Sequence, residues 1–222
     1  MMFFVWSIKV QVTERDLELV RCINRFGFLT VEQVARFWGG VDFSTAAARV
    51  RKLVDEGLLE RASLQHFEVR PLVVTRVGRE LAGETLPAIK GIRASTFQHD
   101  SMLFDLAVSL ETRFSSRFET EREYRWRRPD RAAENFHVPD GILRRDNVKI
   151  GVELELTQKA PRRLADIIAS HAGNLELDEV WYVVTTEAMR AYVRRIAGDS
   201  QHIKIVKWTH SPTASVREED GQ

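Results

Sequence analysis

Apolar positions recur at helical spacing through the first quarter of the chain. Leu17, Val20, Ile23 and Phe26 follow Thr13-Glu14-Arg15-Asp16, where Thr13 can cap a helix and Asp16 sits three residues on. Gly27 ends that element. Thr30 opens a second helix, with Gln33 reaching back and Val31, Val34, Phe37 and Trp38 as its buried stripe; Gly39-Gly40 stops it. A third starts at Ser44, with Ala47, Val50, Leu53 and Val54 inward. Its outward face carries Thr45, Ala48, Arg49 and Lys52, with Arg51 on the flank. Glu56-Gly57 is a stop that runs into a strand at Leu58-Leu59-Glu60-Arg61. A polar tip at 63–65 and a second strand through Val69 and Val74 complete a hairpin. Thr75 caps a last short helix through Leu81.

The pattern lapses over 83–95, which reads as a connector around Gly83, Pro87 and Gly91. From Gln98 to Phe114 a helix presents Leu103, Leu106, Ala107, Leu110 and Phe114 on one face. Residues 118–126 alternate as a strand, and Arg125, Arg127, Arg128 and Arg131 form a basic patch around Trp126, of the kind that can grip a nucleic-acid backbone. Two apolar runs then flank Arg144-Arg145-Asp146-Asn147, a hairpin with Asp-Asn at its turn. The second arm alternates strictly, Val152, Leu154 and Leu156 against Glu153, Glu155 and Thr157. A helix over 161–172, a buried strand over 179–185, a helix over 187–196 and a strand over 203–208 follow. Residues 211–222 read as a disordered tail.

Three short helices and a two-stranded wing are the pattern of a winged helix-turn-helix, whose third helix enters the major groove of DNA. The residues expected at the duplex are Ser44, Thr45, Arg49, Arg51 and Lys52 on that helix, and Arg61, His66 and Arg70 on the wing. Residues 1–95 carry 14 Lys and Arg against 11 Asp and Glu. So mild a basic excess points to modest affinity per subunit and favours a homodimer on DNA. The whole chain of 222 residues has a net charge of +1, so any nucleic-acid surface is a local patch. The single cysteine, Cys22, excludes an internal disulfide and a Cys-rich zinc site, and reads as a small core residue in a reducing cytoplasm. The apolar start, 1–8, is too short to span a bilayer and lacks the features of a secretory signal.

Folding the 138–157 hairpin brings Asp140 beside Glu153 and Glu155, with Lys159 four residues further on. Three converging carboxylates need a hard cation or a basic neighbour, and all-oxygen ligands point to Mg²⁺ or Mn²⁺. Such a cluster suits metal-assisted phosphodiester hydrolysis, and equally describes the solvated face of an amphipathic strand. The order of elements, with Pro139-Asp140 on one strand and Glu153-Leu154-Glu155 on the next, resembles the PD-(D/E)XK (restriction-endonuclease-like) fold. Asp140 and Glu153 match that pattern. Glu155 stands where lysine is usual, and Lys159 would substitute from the following helix.

Over residues 12–208 the chain resembles the replication-relaxation family of plasmid and integrative-element proteins. The carrying residues are Thr13-Glu14-Arg15-Asp16, Gly57-Leu58-Leu59, Val74-Thr75-Arg76-Val77-Gly78, His99, Pro139-Asp140-Gly141 and Glu153–Lys159. The fold class expected is α+β to α/β. A winged helix occupies 1–82, the connector 83–95, a PD-(D/E)XK-like domain with a mixed sheet 96–210, and the tail 211–222. The resemblance implies a double-stranded DNA-binding accessory protein of plasmid replication or conjugative transfer, working beside a relaxase or replication protein. Its nuclease-like domain would serve as a second DNA-contact or assembly platform. Two alternatives stand beside this: a Mg²⁺-dependent endonuclease using Asp140, Glu153, Glu155 and Lys159, and a transcriptional repressor with a C-terminal dimerisation or ligand domain. His99 and His137 lie at positions where a histidine either caps and packs or joins the acidic cluster.

Overall fold

A computed structural model describes residues 11–64, 68–129 and 137–209. The apolar start, His66, Arg131 and the expected tail lie outside them. The chain divides into two compact units, Met1–Ser101 and Met102–Gln222. Among the described residues it is a mixed α and β protein with eight helices, a two-stranded sheet and a five-stranded sheet. No helix among them is long and apolar enough to cross a membrane.

The first unit holds α1 (Glu14–Phe26), α2 (Val31–Phe37), α3 (Phe43–Asp55), β1 (Leu59–Arg61), β2 (Leu72–Val74) and α4 (Arg76–Leu81). Side-chain caps set the helix starts. The Thr13 backbone N–H and hydroxyl both donate to Asp16 Oδ2, at 2.8 and 2.6 Å. Thr30 and Gln33 exchange a reciprocal pair of bonds, and Thr75 Oγ1 accepts the Gly78 N–H. The third helix starts one residue earlier than its periodicity suggests, because Asp42 is its cap. Val50 and Leu53 are buried as expected and Ala46 completes the stripe, while Ala47 and Val54 on its flank are only half-buried. In α2 the buried positions are Val31, Gln33, Val34 and Ala35, while Phe37 and Trp38 stay half-exposed. Strands β1 and β2 pair antiparallel, Leu59 opposite Val74, and Leu29 bridges to Leu72 beside them. Gly78 sits so close to β1 that a Cβ there would lie 2.1 Å from the Leu58 carbonyl oxygen. The connector is packed on this unit: Ile89 and Ile92 lie against Phe28, Leu64, Val73 and Phe97, and Asn24 Nδ2 donates to the Leu86 carbonyl at 2.8 Å.

The division between units falls within α5 (Phe97–Phe114). The second unit continues with β3 (Glu119–Thr120), α6 (Glu121–Arg127), β4 (Gly141–Arg145), β5 (Val148–Glu155), α7 (Pro161–Ala172), β6 (Glu179–Val184), α8 (Glu187–Ala197) and β7 (Ile203–Lys207). The sheet order is β3-β4-β5-β6-β7. The first two pairings are antiparallel and the last two parallel, so α7 and α8 supply the crossovers that parallel neighbours need. Residues 118–126 do not form the expected strand. Thr120 and Glu123 make a capping box, which ends β3 after two residues and turns the chain into α6. The Asp146-Asn147 turn is as expected: Arg145 pairs with Val148, and Asp146 takes φ of 53°. One sheet face gathers Ile142, Val180, Tyr182, Val184 and Ile203 with Leu164 and Ile168 of α7 and Val193 of α8. On α5, Phe104, Leu106, Ala107 and Leu110 are buried, and Phe114 meets Trp181 edge-on at 5.7 Å.

Candidate functional site

Three places in the molecule gather the residues singled out by sequence, one in the first unit and two in the second.

In the first unit, burial of Ala46, Val50 and Leu53 turns Ser44, Thr45, Ala48, Arg51 and Lys52 to solvent. The hydroxyls at the helix start are committed elsewhere. Asp42 accepts from Ser44 Oγ at 2.5 Å, Thr45 Oγ1 at 2.6 Å and the Thr45 N–H at 2.9 Å, and these bonds hold its carboxyl well below the usual range. Arg49 is not an outward residue. Its guanidinium forms a two-pronged ion pair with Asp16, Nε to Oδ1 at 2.8 Å, and also reaches the Gln11 carbonyl at 2.9 Å. Asp16 is 2 % exposed. Burial pushes its pKa up, but the Arg49 and Thr13 hydrogen bonds outweigh that and leave it lowered. Arg51, Lys52, Arg61 and Arg70 are all exposed. His99 Nδ1 lies 3.2 Å from Asp100 Oδ1.

The basic patch around Trp126 is largely neutralised within the second unit. Arg125 pairs with Glu121 at 2.7 Å, Arg127 with Glu119 at 3.2 Å, and Arg128 lies over the Tyr124 ring at 4.6 Å. Arg125 and Arg127 are therefore matched to acids on and beside α6.

The acidic centre of the second unit is built by register. Gly141 pairs with Val152, so the next position back, Asp140, lies across from Glu153. Asp140 Oδ2 accepts the Leu154 N–H at 2.8 Å, taking a backbone donor beyond the end of β4. Glu153 pairs across β6 with Tyr182, and Glu155 with Val184. Asp140, Glu153 and Glu155 therefore share one sheet face, as the alternation of β5 predicts.

Glu155 meets the basic neighbour expected for it, Lys159, whereas Glu153 meets two histidines, one of them not foreseen. Glu153 is 3 % exposed, and its Oε1 accepts Nε2–H of His137 at 2.9 Å and of His171 at 3.0 Å. The two rings meet edge-on, 5.1 Å between centroids. The His137 N–H also donates to Ser170 Oγ at 2.9 Å, which fastens this segment to α7 next to His171. Burial pushes the Glu153 carboxyl up, yet the two imidazoles outweigh it and hold the pKa low. For His137 burial acts downward, and the Glu153 bond outweighs it, leaving the pKa raised. Glu155, 2 % exposed, is ion-paired with Lys159, but burial dominates and its pKa is raised. Lys159 lies in the loop before α7 rather than on the helix, with its carbonyl held by the Tyr192 hydroxyl at 2.5 Å. Tyr182 is fully buried and its hydroxyl has no hydrogen-bond partner among the described residues. Burial and the three carboxylates push its pKa up.

An all-oxygen Mg²⁺ site needs several carboxylate or carbonyl oxygens directed at one point. Here each carboxylate turns to a different protein group: Asp140 to a backbone N–H, Glu153 to two imidazoles, Glu155 to Lys159. The atoms that do converge are two imidazole nitrogens and one carboxylate oxygen, from His137, His171 and Glu153, within 4.8 Å of one another. His171 carried no weight in the sequence because it is a lone histidine in the last turn of a helix. The signal available was its phase: Leu164, Ile168 and His171 form the buried stripe of α7. Comparison of the chain with family models, with curated proteins and with solved structures gives no match.

Proposed function

We propose that the chain is a double-stranded DNA-binding accessory protein of mobile-element replication or conjugative transfer, acting in the cytoplasm beside a relaxase or replication protein. The first unit is the winged helix-turn-helix, and α3 is its groove-facing helix. The observation that carries this reading is the solvent-facing pair Arg51 and Lys52 on α3, in a unit whose antiparallel hairpin adds exposed Arg61 and Arg70. Guanidinium and ammonium groups of this kind neutralise phosphates and read guanine edges. The second unit, with its antiparallel-then-parallel sheet, serves as a PD-(D/E)XK-like platform. The test is a gel-shift titration of the full chain on duplex fragments carrying the element's own origin. The intact protein should retard an origin fragment at lower concentration than unrelated duplex. The double variant Arg51→Ala, Lys52→Ala should lose that retardation. Equal retardation by both proteins would remove the assignment of α3.

A second reading, metal-dependent phosphodiester hydrolysis, is favoured by one observation: Asp140 and Glu153 face each other across paired chain segments, with Lys159 beside Glu155. Nicking of supercoiled plasmid in Mg²⁺ or Mn²⁺, abolished by Asp140→Ala, would establish it. Intact plasmid over a wide range of both ions would leave the binding role alone.

A further inference from the structure

We propose that His137, Glu153 and His171 form a binding site for a first-row divalent transition ion of the Zn²⁺ and Co²⁺ class. The site lies in the second unit and depends on no DNA contact in the first.

Three separate elements supply the donors. His137 comes from the segment before β4, Glu153 from the middle of β5, and His171 from the last turn of α7. Both imidazoles aim Nε2 at the same oxygen, Glu153 Oε1. Neutralising one buried carboxylate takes one imidazolium. A second imidazole directed at the same atom is surplus to a structural ion pair, whereas two nitrogens and one carboxylate oxygen are the donor set of an open zinc-type site.

The spacing fits. Ligands about 2.1 Å from a tetrahedral ion stand roughly 3.4 Å from one another. The present N···O separations are 2.9 and 3.0 Å. Admitting the ion therefore needs a few tenths of an ångström of outward movement by side chains. Glu153 and His171 are buried, at 4 % and 0 % side-chain exposure, while His137 is 38 % exposed and leaves one side open to solvent.

A second observation points the same way. Tyr182 is fully buried, sits across from Glu153 in the β5–β6 register, and its ring lies 6.2 Å from that of His171. Its hydroxyl has no hydrogen-bond partner among the described residues. A buried phenol without a partner is costly unless something completes it. A bound ion, or water carried on that ion, supplies the missing contact. His171 Nδ1 also lacks a partner among the described residues, with or without an ion, so it does not discriminate.

The donor set separates this site from an oxygen-only one. Imidazole nitrogen suits zinc and cobalt, while Mg²⁺ keeps to carboxylates and water. Glu153 would belong to either site. His137 and His171 would serve only the site proposed here, and Asp140 only the other.

The test uses the full chain stripped with chelator, titrated with Co²⁺ and followed by visible absorption. Zn²⁺ is then added as competitor, and binding of Zn²⁺ and Mg²⁺ is measured separately by calorimetry. One equivalent of Co²⁺ should develop nitrogen-ligand bands that Zn²⁺ abolishes, and Mg²⁺ should give no saturable heat. His137→Ala should weaken Zn²⁺ at least about tenfold, since loss even of an outer-shell partner costs ~10–100-fold. It should also remove the Zn²⁺-dependent rise in melting temperature seen in the wild type. Because His171 is buried, His171→Gln is paired with His137→Ala, whose half-exposed position keeps the result readable if the first variant misfolds. Absence of Co²⁺ bands would overturn the proposal. So would Zn²⁺ affinity unchanged in His137→Ala, or binding lost in Asp140→Ala but kept in His137→Ala.

Discussion

Arg49 looks from its spacing like a DNA contact, and the structure makes it an internal strut instead. Replacing it with alanine removes both prongs of the pair with Asp16 and strands a carboxylate that is 2 % exposed. Removing one partner of a fully buried pair costs ~3–5 kcal/mol. Arg49 is 25 % exposed, and Thr13 continues to donate two hydrogen bonds to Asp16, so the cost here is smaller, about 2 kcal/mol. For a domain of this size each kcal/mol shifts the midpoint by ~4–8 °C, which gives a fall of roughly 10 °C. The assay is thermal unfolding of the full chain, followed by circular dichroism, for Arg49→Ala, Asp16→Asn and the double variant. The two single effects should not add, with a coupling of ~0.5–2 kcal/mol. Arg51→Ala, on the exposed face, should melt within about 2 °C of the wild type. The reasoning fails if Arg49→Ala melts like the wild type yet weakens DNA binding as strongly as Arg51→Ala.

Three further outcomes follow from the same geometry. Acid should erase the effect of Arg49: the Asp16 pKa is lowered by folding, so its contribution is complete above the ordinary carboxylate range, near pH ~4, and fades below it. Melting curves of wild type and Arg49→Ala should therefore converge as pH falls through that region, and a constant gap would contradict the pairing. Gly78→Ala drives a Cβ to 2.1 Å from the Leu58 carbonyl oxygen, so the denaturant midpoint should fall by an amount equivalent to ~1–3 kcal/mol, and an unchanged midpoint would show that α4 moves freely. Lys159→Met leaves Glu155 buried without its ion pair. Since the Glu155 pKa is already raised, its ionised form burdens the fold as pH climbs past the ordinary value, and the loss in melting temperature should be larger at pH ~7.5 than at pH ~5. A loss independent of pH would remove the charge from the explanation.

The elements were legible where a local rule decides them. Thr30 with Gln33, Thr75, and the Asp146-Asn147 turn each act within four residues, and each does what its spacing implies. The strict alternation of β5 fixed which residues share a face with Glu153. Errors arose where two local rules compete. Thr120 and Glu123 fit both a strand alternation and a capping box, and the box prevailed. Helix α3 starts one residue before Ser44 because Asp42 caps it, while Val50 and Leu53 are buried as their spacing implies. Partners were harder still, since they depend on pairs far apart in sequence. Arg49 and Asp16 are 33 residues apart, and His171 meets Glu153 only through the packing of α7 on the sheet. A charged residue on a helix flank gives no sign in sequence of whether its partner is solvent, a phosphate or a buried aspartate.

The central claim is that α3 faces duplex DNA through Arg51 and Lys52. Its most direct measurement is the dependence of binding on salt, by fluorescence anisotropy with one duplex at several ionic strengths. Each phosphate contact contributes a slope of about −0.9 in log K against log[salt], so losing both residues should make the slope shallower by about 1.8. Identical slopes and affinities for the wild type and Arg51→Ala, Lys52→Ala would place the DNA, if it binds at all, on another surface.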